Sequence, residues 1–387
     1  MSLLRKRRFA LSSLFFLSGL CFSSWASRIP DVQLKFSLSE GQLGFLLLGM
    51  PLGSLVALPL AGWSVHRFGS RMVLLLSGLM YALFLYLIGL SPSLLVLSMV
   101  VVVFGMIGNI LNIALNTHAI GIENEYEKNI LASFHGLWSL AGFSGAGIGA
   151  LSIYLGLLEA EHFLIIVFLA ILILVFSQKY ILKEAEAAGG SGFVFKKPDD
   201  LLLRIGLVGF FGMMCEGCMF DWSGVYFKKV VEVSPNYVAI GYVAFMGAMA
   251  GGRFVSDSLT NRIGKVKMLR ISGLLISFGL AIAVIFPTVP ASLIGFMLVG
   301  LGTASVIPLS YSIAGRSEVY SPGIALAMVA TISFFGFLLG PPLIGFIAEL
   351  FNLRVSFALI AVMGMVITVL MIIRPSVFYQ NKEGTSV

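Results

Sequence analysis

Charge is what this chain has least of. Only 11% of its 387 residues are Asp, Glu, Lys or Arg, where a soluble protein carries about a quarter. That scarcity excludes a fold whose whole surface meets water. Cysteine is rarer still. Cys21, Cys215 and Cys218 are the three, each inside an apolar run, which leaves no disulfide framework. The Cys215-x-x-Cys218 spacing could suggest metal or redox chemistry, but no second ligand pair accompanies it. Both therefore read as small apolar helix residues, and no metal or cofactor is expected. No GxxxxGK[ST] loop is present, which argues against ATP as a driving force. The four histidines, His66, His118, His135 and His162, come with no matching Ser or Asp constellation, which argues against an embedded acyltransferase or protease.

Apolar sequence is abundant instead. The chain is 58% hydrophobic, with a mean hydropathy of +1.01. Twelve apolar segments stand out, near 9–27, 42–65, 72–90, 94–121, 130–156, 162–181, 201–226, 237–256, 266–286, 290–314, 323–350 and 354–373. Each is close to the roughly 20 residues that cross a bilayer core as a helix. Barrel strands would alternate, and these do not. The expected fold class is an all-α membrane protein. The start, RKRR before an apolar run and SSWAS, mimics a secretion leader. Its length and the eleven segments that follow make it a first span.

Lys and Arg set the orientation. With the N-terminus inside, 20 of the 25 basic residues fall in cytoplasmic segments, Arg253 among them; Arg28, Lys35, Lys228, Lys229 and Arg354 fall outside. The net charge of +7 is then a topology signal, and no nucleic-acid partner is expected. A bacterial-type inner (plasma) membrane, multi-pass, with N- and C-termini cytoplasmic, is the expected location.

The longest hydrophilic stretch, KEAEAAGGSGFVFKKPDD at 183–200, reads as a linker. It divides a six-helix half at 1–182 from another at 201–387. The halves match in order: Arg67-Phe-Gly with Arg262-Ile-Gly, Ser77-Gly78 with Ser272-Gly273, Cys21-x-x-x-Trp25 with Cys218-x-x-x-Trp222, and Ser133-Phe-His-Gly136 with Ser333-Phe-Phe-Gly336. Two pseudo-symmetric six-helix bundles, related by an axis along the membrane normal, are a design of secondary transporters.

The loop GWSVHRFGSR, 62–71, resembles the Gly-x-x-x-Asp-Arg-x-Gly-Arg-Arg signature between helices 2 and 3 of the major facilitator superfamily. Gly62, Arg67, Gly69 and Arg71 match; His66 stands at the acid position. A second copy, GRFVSDSLTNRIGK at 252–265, keeps Gly252, Arg253, Arg262 and Gly264, with Asn261 at the acid position. The resemblance implies alternating access by two rocking halves and a chain that works as a monomer. It also implies gating roles for His66, Arg67, Gly69, Arg71, Arg253 and Arg262, with Asp257 a stand-in for the missing acid. Glu216, Trp222-Ser223 and Tyr226-Phe227, with the Asn-rich fourth span, are similar to fucose-permease-like sugar transporters.

Within EGCMFDWSG, 216–224, two carboxylates interrupt the seventh apolar run. Glu216 lies 15 residues past Leu201, about 22 Å into a core of about 30 Å. An ionisable group at that depth marks a pathway or relay, or a structural bond to a neighbouring helix. Asp221 lies near the outer edge, about 140° round the helix from Glu216. It is read either as a wetted interfacial acid or as the partner of Arg28 in an outer gate. In the fourth span Asn109, Asn112 and Asn116 share a face at i, i+3, i+7. They suit a hydroxyl-rich or zwitterionic solute, or interhelical bonding. His135 opens the fifth span, placed either for proton handling or for tying helices together. Trp25 and Trp222 are expected in an interfacial belt, and Trp138, deeper, against a sugar face. The expected function is secondary active transport, proton-coupled, of a small polar organic solute such as a sugar. Efflux of amphipathic compounds is the alternative, and a non-transporting receptor a remote one.

Overall fold

The computed structural model describes residues 3–126, 130–182 and 197–373; of the expected linker, 183–196 lies outside them. The described residues are helical, joined by short turns. Thirteen α-helices run in order: α1 Leu3–Ser27, α2 Ile29–Lys35, α3 Glu40–Phe68, α4 Ser70–Leu90, α5 Leu94–Tyr126, α6 Leu131–Tyr154, α7 Glu159–Ser177, α8 Asp200–Lys229, α9 Ile240–Ile263, α10 Lys265–Ile285, α11 Val289–Ala314, α12 Pro322–Leu350 and α13 Leu353–Ile372. All but α2 are long and apolar enough to cross a bilayer. The twelve spans expected from hydropathy are therefore present, six in each half of the chain. Large apolar side chains such as Phe45, Phe168, Phe176 and Phe278 are exposed on them. In water that would be a liability; in a bilayer every backbone group is already satisfied within its helix, and the chains meet lipid.

Helix ends follow local chemistry. Ser39 caps α3, its hydroxyl accepting from the Gln42 amide while the Gln42 side chain accepts from the Ser39 amide, a reciprocal capping box. Helix α2, which hydropathy alone did not reveal, starts at Ile29, has Pro30 as its second residue, and carries Asp31 in its first turn and Lys35 in its last. Proline in the first turn, where the amide has no helical partner, and charges that complement the dipole suit so short a helix.

The two signature loops fold alike. Gly69 joins α3 to α4 with φ 80° and ψ 147°, and Gly264 joins α9 to α10 with φ 84° and ψ 153°. Only glycine adopts that backbone without strain. Nothing lies within 4 Å of a β-carbon at either position, so the requirement is conformational. Gly264→Ala is expected to cost about 1–3 kcal/mol. Gly62→Ala, at a mid-helix site equally open, should be neutral or gain about 0.5–1 kcal/mol. Thermal unfolding in detergent reads both. One repeat match does not hold in register: Ser133 is the third residue of α6, whereas Ser333 is the twelfth of α12.

The chain divides into two compact units, Met1–Gly190 with Ser223–Met246, and Ser191–Trp222 with Gly247–Val387. In the first, α1 is the most enclosed span and packs on α4, α5, α6 and α7, while α3 packs on α5. Small residues allow close approach there: a β-carbon on Gly105 would collide with the Met50 carbonyl of α3, and one on Gly53 with the Val102 carbonyl of α5. The segment 223–246 joins this unit through the Lys229–Glu40 ion pair, Lys228 donating to the Pro30 carbonyl at 3.1 Å, Tyr237 against Tyr154, and Val238 and Ala239 against Ile153. In the second unit α10 packs on α11 and α13, and α12 on α11 and α13. Helix α8 lays Gly206, Gly209 and Gly217 against Ile332, Ser333 and Phe337 of α12.

Candidate functional site

The site is in the second unit, where α8 and α9 present opposite charges. Glu216 is the seventeenth residue of α8 and Arg253 the fourteenth of α9, each about 20 Å or more from where its helix begins. Nη2 of Arg253 donates to Oε1 of Glu216 at 3.3 Å. The side chains are 20% and 9% exposed. Tyr311, near the end of α11, lies within electrostatic reach of the Glu216 carboxyl. Gly217 brings Phe337 of α12 against the backbone beside Glu216, and Gly252 brings Ala304 and Leu301 of α11 against the backbone beside Arg253. The acid expected deep in the seventh span is there, and it has a partner.

Arg253 was counted with the cytoplasmic basic residues and matched to the second signature loop, although the apolar segment 237–256 contains it. In the structure α9 continues as helix to Ile263, ten residues past Arg253, and Arg253 pairs with Glu216 of α8, a partner the sequence did not point to.

The other predicted residues separate into groups. Asn109 donates to the Ser54 carbonyl of α3 at 2.7 Å, so it ties α5 to α3. Asn112 is exposed, and Asn116 donates to its carbonyl and amide oxygens at 2.8 and 3.1 Å. Those two form an open amide ridge. Trp138 is half-buried and tilted against Phe22, their rings 5.8 Å apart. His135 is exposed and sets its ring edge-on to Phe15 at 5.5 Å, tying α6 to α1. Trp25 and Trp222 are fully buried, not the expected belt; α1 is enclosed by its neighbours, so its indole is core.

Asp221 is buried in α8, in the second unit, and Arg28 belongs to the first. The structure pairs Arg28 with Asp31. Nη1 reaches Asp31 at 2.8 Å, Nη2 the Leu157 carbonyl at 2.9 Å and Nε the Nδ1 of His162 at 3.3 Å. Burial pushes the Asp31 carboxyl above its ordinary value, with Arg28 drawing it part of the way back. In the first signature loop Arg71 donates to the Gln178 carbonyl at the end of α7, at 2.6 Å, where a cation complements the helix dipole. Lys265 does the same work in the second loop through Ser312 Oγ at 2.6 Å. His66, Arg67, Asp257 and Arg262 are exposed. Lys228 and Lys229, which fasten the end of α8 to Pro30 and Glu40, were read only as outside charges; that two lysines end an apolar run was the available signal.

Twelve spans, twin glycine loops of one conformation and a buried acid–arginine pair make a transporter framework, and comparison with known proteins agrees. The family model described as Major Facilitator Superfamily matches residues 11–317 and 234–385. The chain belongs to the Major Facilitator Superfamily. An uncharacterized MFS-type transporter of Yersinia pestis is 35% identical over 350 residues, covering 90% of this chain and 91% of that one. The membrane protein MosC of Rhizobium meliloti is 31% identical over 362 residues, covering 92% and 88%. Among solved structures, the nucleoside transporter NupG shares the fold with a TM-score of 0.77 at 13% identity, covering 95% of this chain and 99% of that one. As a superfamily member with twelve spans, the protein is a multi-pass membrane transporter.

Proposed function

We propose that this superfamily member is a proton-coupled secondary carrier that moves a small polar organic solute, sugar or sugar-like, by alternating access. It works as a monomer in a bacterial-type inner membrane, with both termini cytoplasmic and the repeat halves 1–182 and 201–387 rocking. The observation that carries the reading is the Glu216–Arg253 pair inside α8 and α9. A carboxylate held by a guanidinium can exchange that partner for a proton, and a buried ionisable pair within spans is a functional site by default. The amide ridge of Asn112 and Asn116, with Trp138, supplies donors, acceptors and an aromatic face for a hydroxyl-rich solute. Asn109 is assigned to the scaffold. His135 and Asp221 are the reserve proton carriers. His66, Arg67, Gly69, Arg71, Asp257 and Arg262 keep gating roles, Arg28 leaves that group for its bonds to Asp31, His162 and Leu157, and Arg253 moves to the coupling site.

Liposomes loaded with a pH indicator test this. Sugars, sugar acids and lipophilic cations are added in turn under an imposed pH gradient. Wild type is expected to show a solute-dependent pH change, and Glu216→Gln to lose at least ten-fold of it at equal reconstitution. Equal signals from both proteins would acquit Glu216 and move the role to His135 or Asp221. A signal with lipophilic cations alone would make the carrier an exporter of amphipathic compounds.

A further inference from the structure

We infer that Asp221 is a proton-binding site of the carrier, separate from the Glu216–Arg253 pair, and that this conformation holds it occupied. The inference goes beyond the reading of Glu216 given above and stands without it. Asp221 is the twenty-second residue of α8 and is 7% exposed. Among the described residues its carboxyl makes no hydrogen bond and no ion pair. The sequence has four other aspartates, and each is accounted for. Asp31 is bridged to Arg28 at 2.8 Å, Asp199 accepts from the Leu202 amide at 2.7 Å, Asp200 is bridged to Arg204 at 3.0 Å, and Asp257 is exposed. A carboxylate that has given up water and gained neither cation nor donor is the costliest form of the group. A proton removes that cost, because the neutral acid is the form a buried site tolerates.

The charged groups around α8 are bonded elsewhere. Lys228 and Lys229, at its end, hold the Pro30 carbonyl and Glu40. Glu216 holds Arg253, and lies about 7.5 Å along the axis and about 140° round it from Asp221. Cys218, one turn before Asp221, is the titratable group within electrostatic reach. From α11 the ionisable residue is Tyr311, which faces Glu216. From α13 it is Arg354, which donates to the Val284 carbonyl at 2.7 Å. From α12, which meets Gly217 through Phe337, it is Glu349, twelve residues further on. The next two residues of α8 share the condition of Asp221: Trp222 Nε1 and Ser223 Oγ are buried without a hydrogen-bond partner. So is Ser24 Oγ of α1, which the Cys-x-x-x-Trp repeat aligns with Asp221. Such atoms are rare in a folded chain, and three successive residues of one helix mark a stretch whose polar groups are satisfied in another conformation. The proton on Asp221 leaves for water when the carboxyl reaches water or a cation, so its release requires that change. A proton held on those terms is one a carrier can couple to movement.

The test is infrared absorption of the purified full chain at neutral pH in an ester-free detergent. One sample carries aspartate labelled with carbon-13 at the side-chain carboxyl, and the other does not. Only neutral carboxyls absorb in the carboxylic-acid carbonyl region; the label moves that band for aspartate and leaves glutamate in place. The labelled-minus-unlabelled difference should show one neutral aspartate per wild-type chain. Asp221→Asn, which keeps the size and neutrality of the acid, should abolish it, while Glu216→Gln and Asp31→Asn should keep it. If Asp221→Asn does not fold, a wild-type difference kept in Asp31→Asn still assigns the band, since the remaining three aspartates are capped, ion-paired or exposed. No difference in wild type would overturn the inference, as would one that survives in Asp221→Asn. A band that the label does not move and that Glu216→Gln removes would also overturn it, and leave proton coupling at Glu216 standing. A labelled Asp221 band alongside a solute-driven pH change that Glu216→Gln leaves intact would support the inference and retire Glu216 as the coupling acid.

Discussion

Glu216→Gln is expected to destabilise the solubilised protein more than Arg253→Gln does, and the double variant to recover most of the loss. Breaking one side of a buried ion pair typically costs about 3–5 kcal/mol, whereas replacing both partners is often close to neutral. The two single losses differ because the orphans differ. A carboxyl left without its arginine can neutralise itself by taking a proton; a guanidinium left without its carboxylate cannot. Glu216→Gln should therefore lie near the top of that range. Arg253→Gln should lie lower and grow as the pH rises, since holding an unpaired carboxylate ionised becomes the only state available. The 20% exposure of Arg253 trims both figures. Reversible unfolding of the four proteins across a pH series gives the coupling energy directly. Single losses that simply add in the double variant would mean that the 3.3 Å contact does not bind the two helices together.

How far this site was legible in the sequence is shown by its two members. Glu216 was visible because an acid in an unbroken apolar run has no innocent explanation; depth along the helix follows from counting residues. The role of Arg253 was not, because its match to the second signature loop drew it to the cytoplasmic group, and its pairing with Glu216 depends on how α9 lies against α8. Helical continuity to Ile263 is a matter of backbone hydrogen bonding, which composition does not report. The amide ridge shows the complementary limit. Periodicity puts Asn109, Asn112 and Asn116 on one helix face. It could not say that the Ser54 carbonyl lies within reach of Asn109, since that depends on how α3 packs on α5. The tryptophans failed for a similar reason: proximity to a helix end suggests a belt, but enclosure by neighbouring helices decides burial. What carried through well was whatever repeats locally, above all the twin glycines, whose positive φ is a property of the loop and needs no knowledge of the rest.

Arg28 is the other place where one substitution should matter greatly. Sequence spacing offered Asp221 as its partner across helices; the structure supplies Asp31, three residues on, because Pro30 turns the chain straight into α2. The arginine side chain is 4% exposed and makes three bonds, to Asp31, His162 and the Leu157 carbonyl. It is thus the hub that joins the end of α1 to the turn before α7. Arg28→Met, which keeps the stem and removes the fork, is expected to cost about 3–5 kcal/mol. Most of the loss falls on the buried acceptors, since Asp31 is 27% exposed and water can reach it. Arg28→Lys should recover less than half, because a point charge cannot serve three acceptors set around a planar fork. The same hub gives a pH signature. Asp31 titrates above its ordinary value in the folded protein, so between that value and the raised one the native state holds the extra proton. Its contribution is therefore greatest at the acid side of the window and declines as the pH rises through it. Asp31→Asn should flatten that decline while leaving the cost of Arg28→Met largely in place. If Asp31→Asn instead cost as much as Arg28→Met, the ion pair alone, and not the buried fork with its two neutral acceptors, would be what holds this end of the helices together.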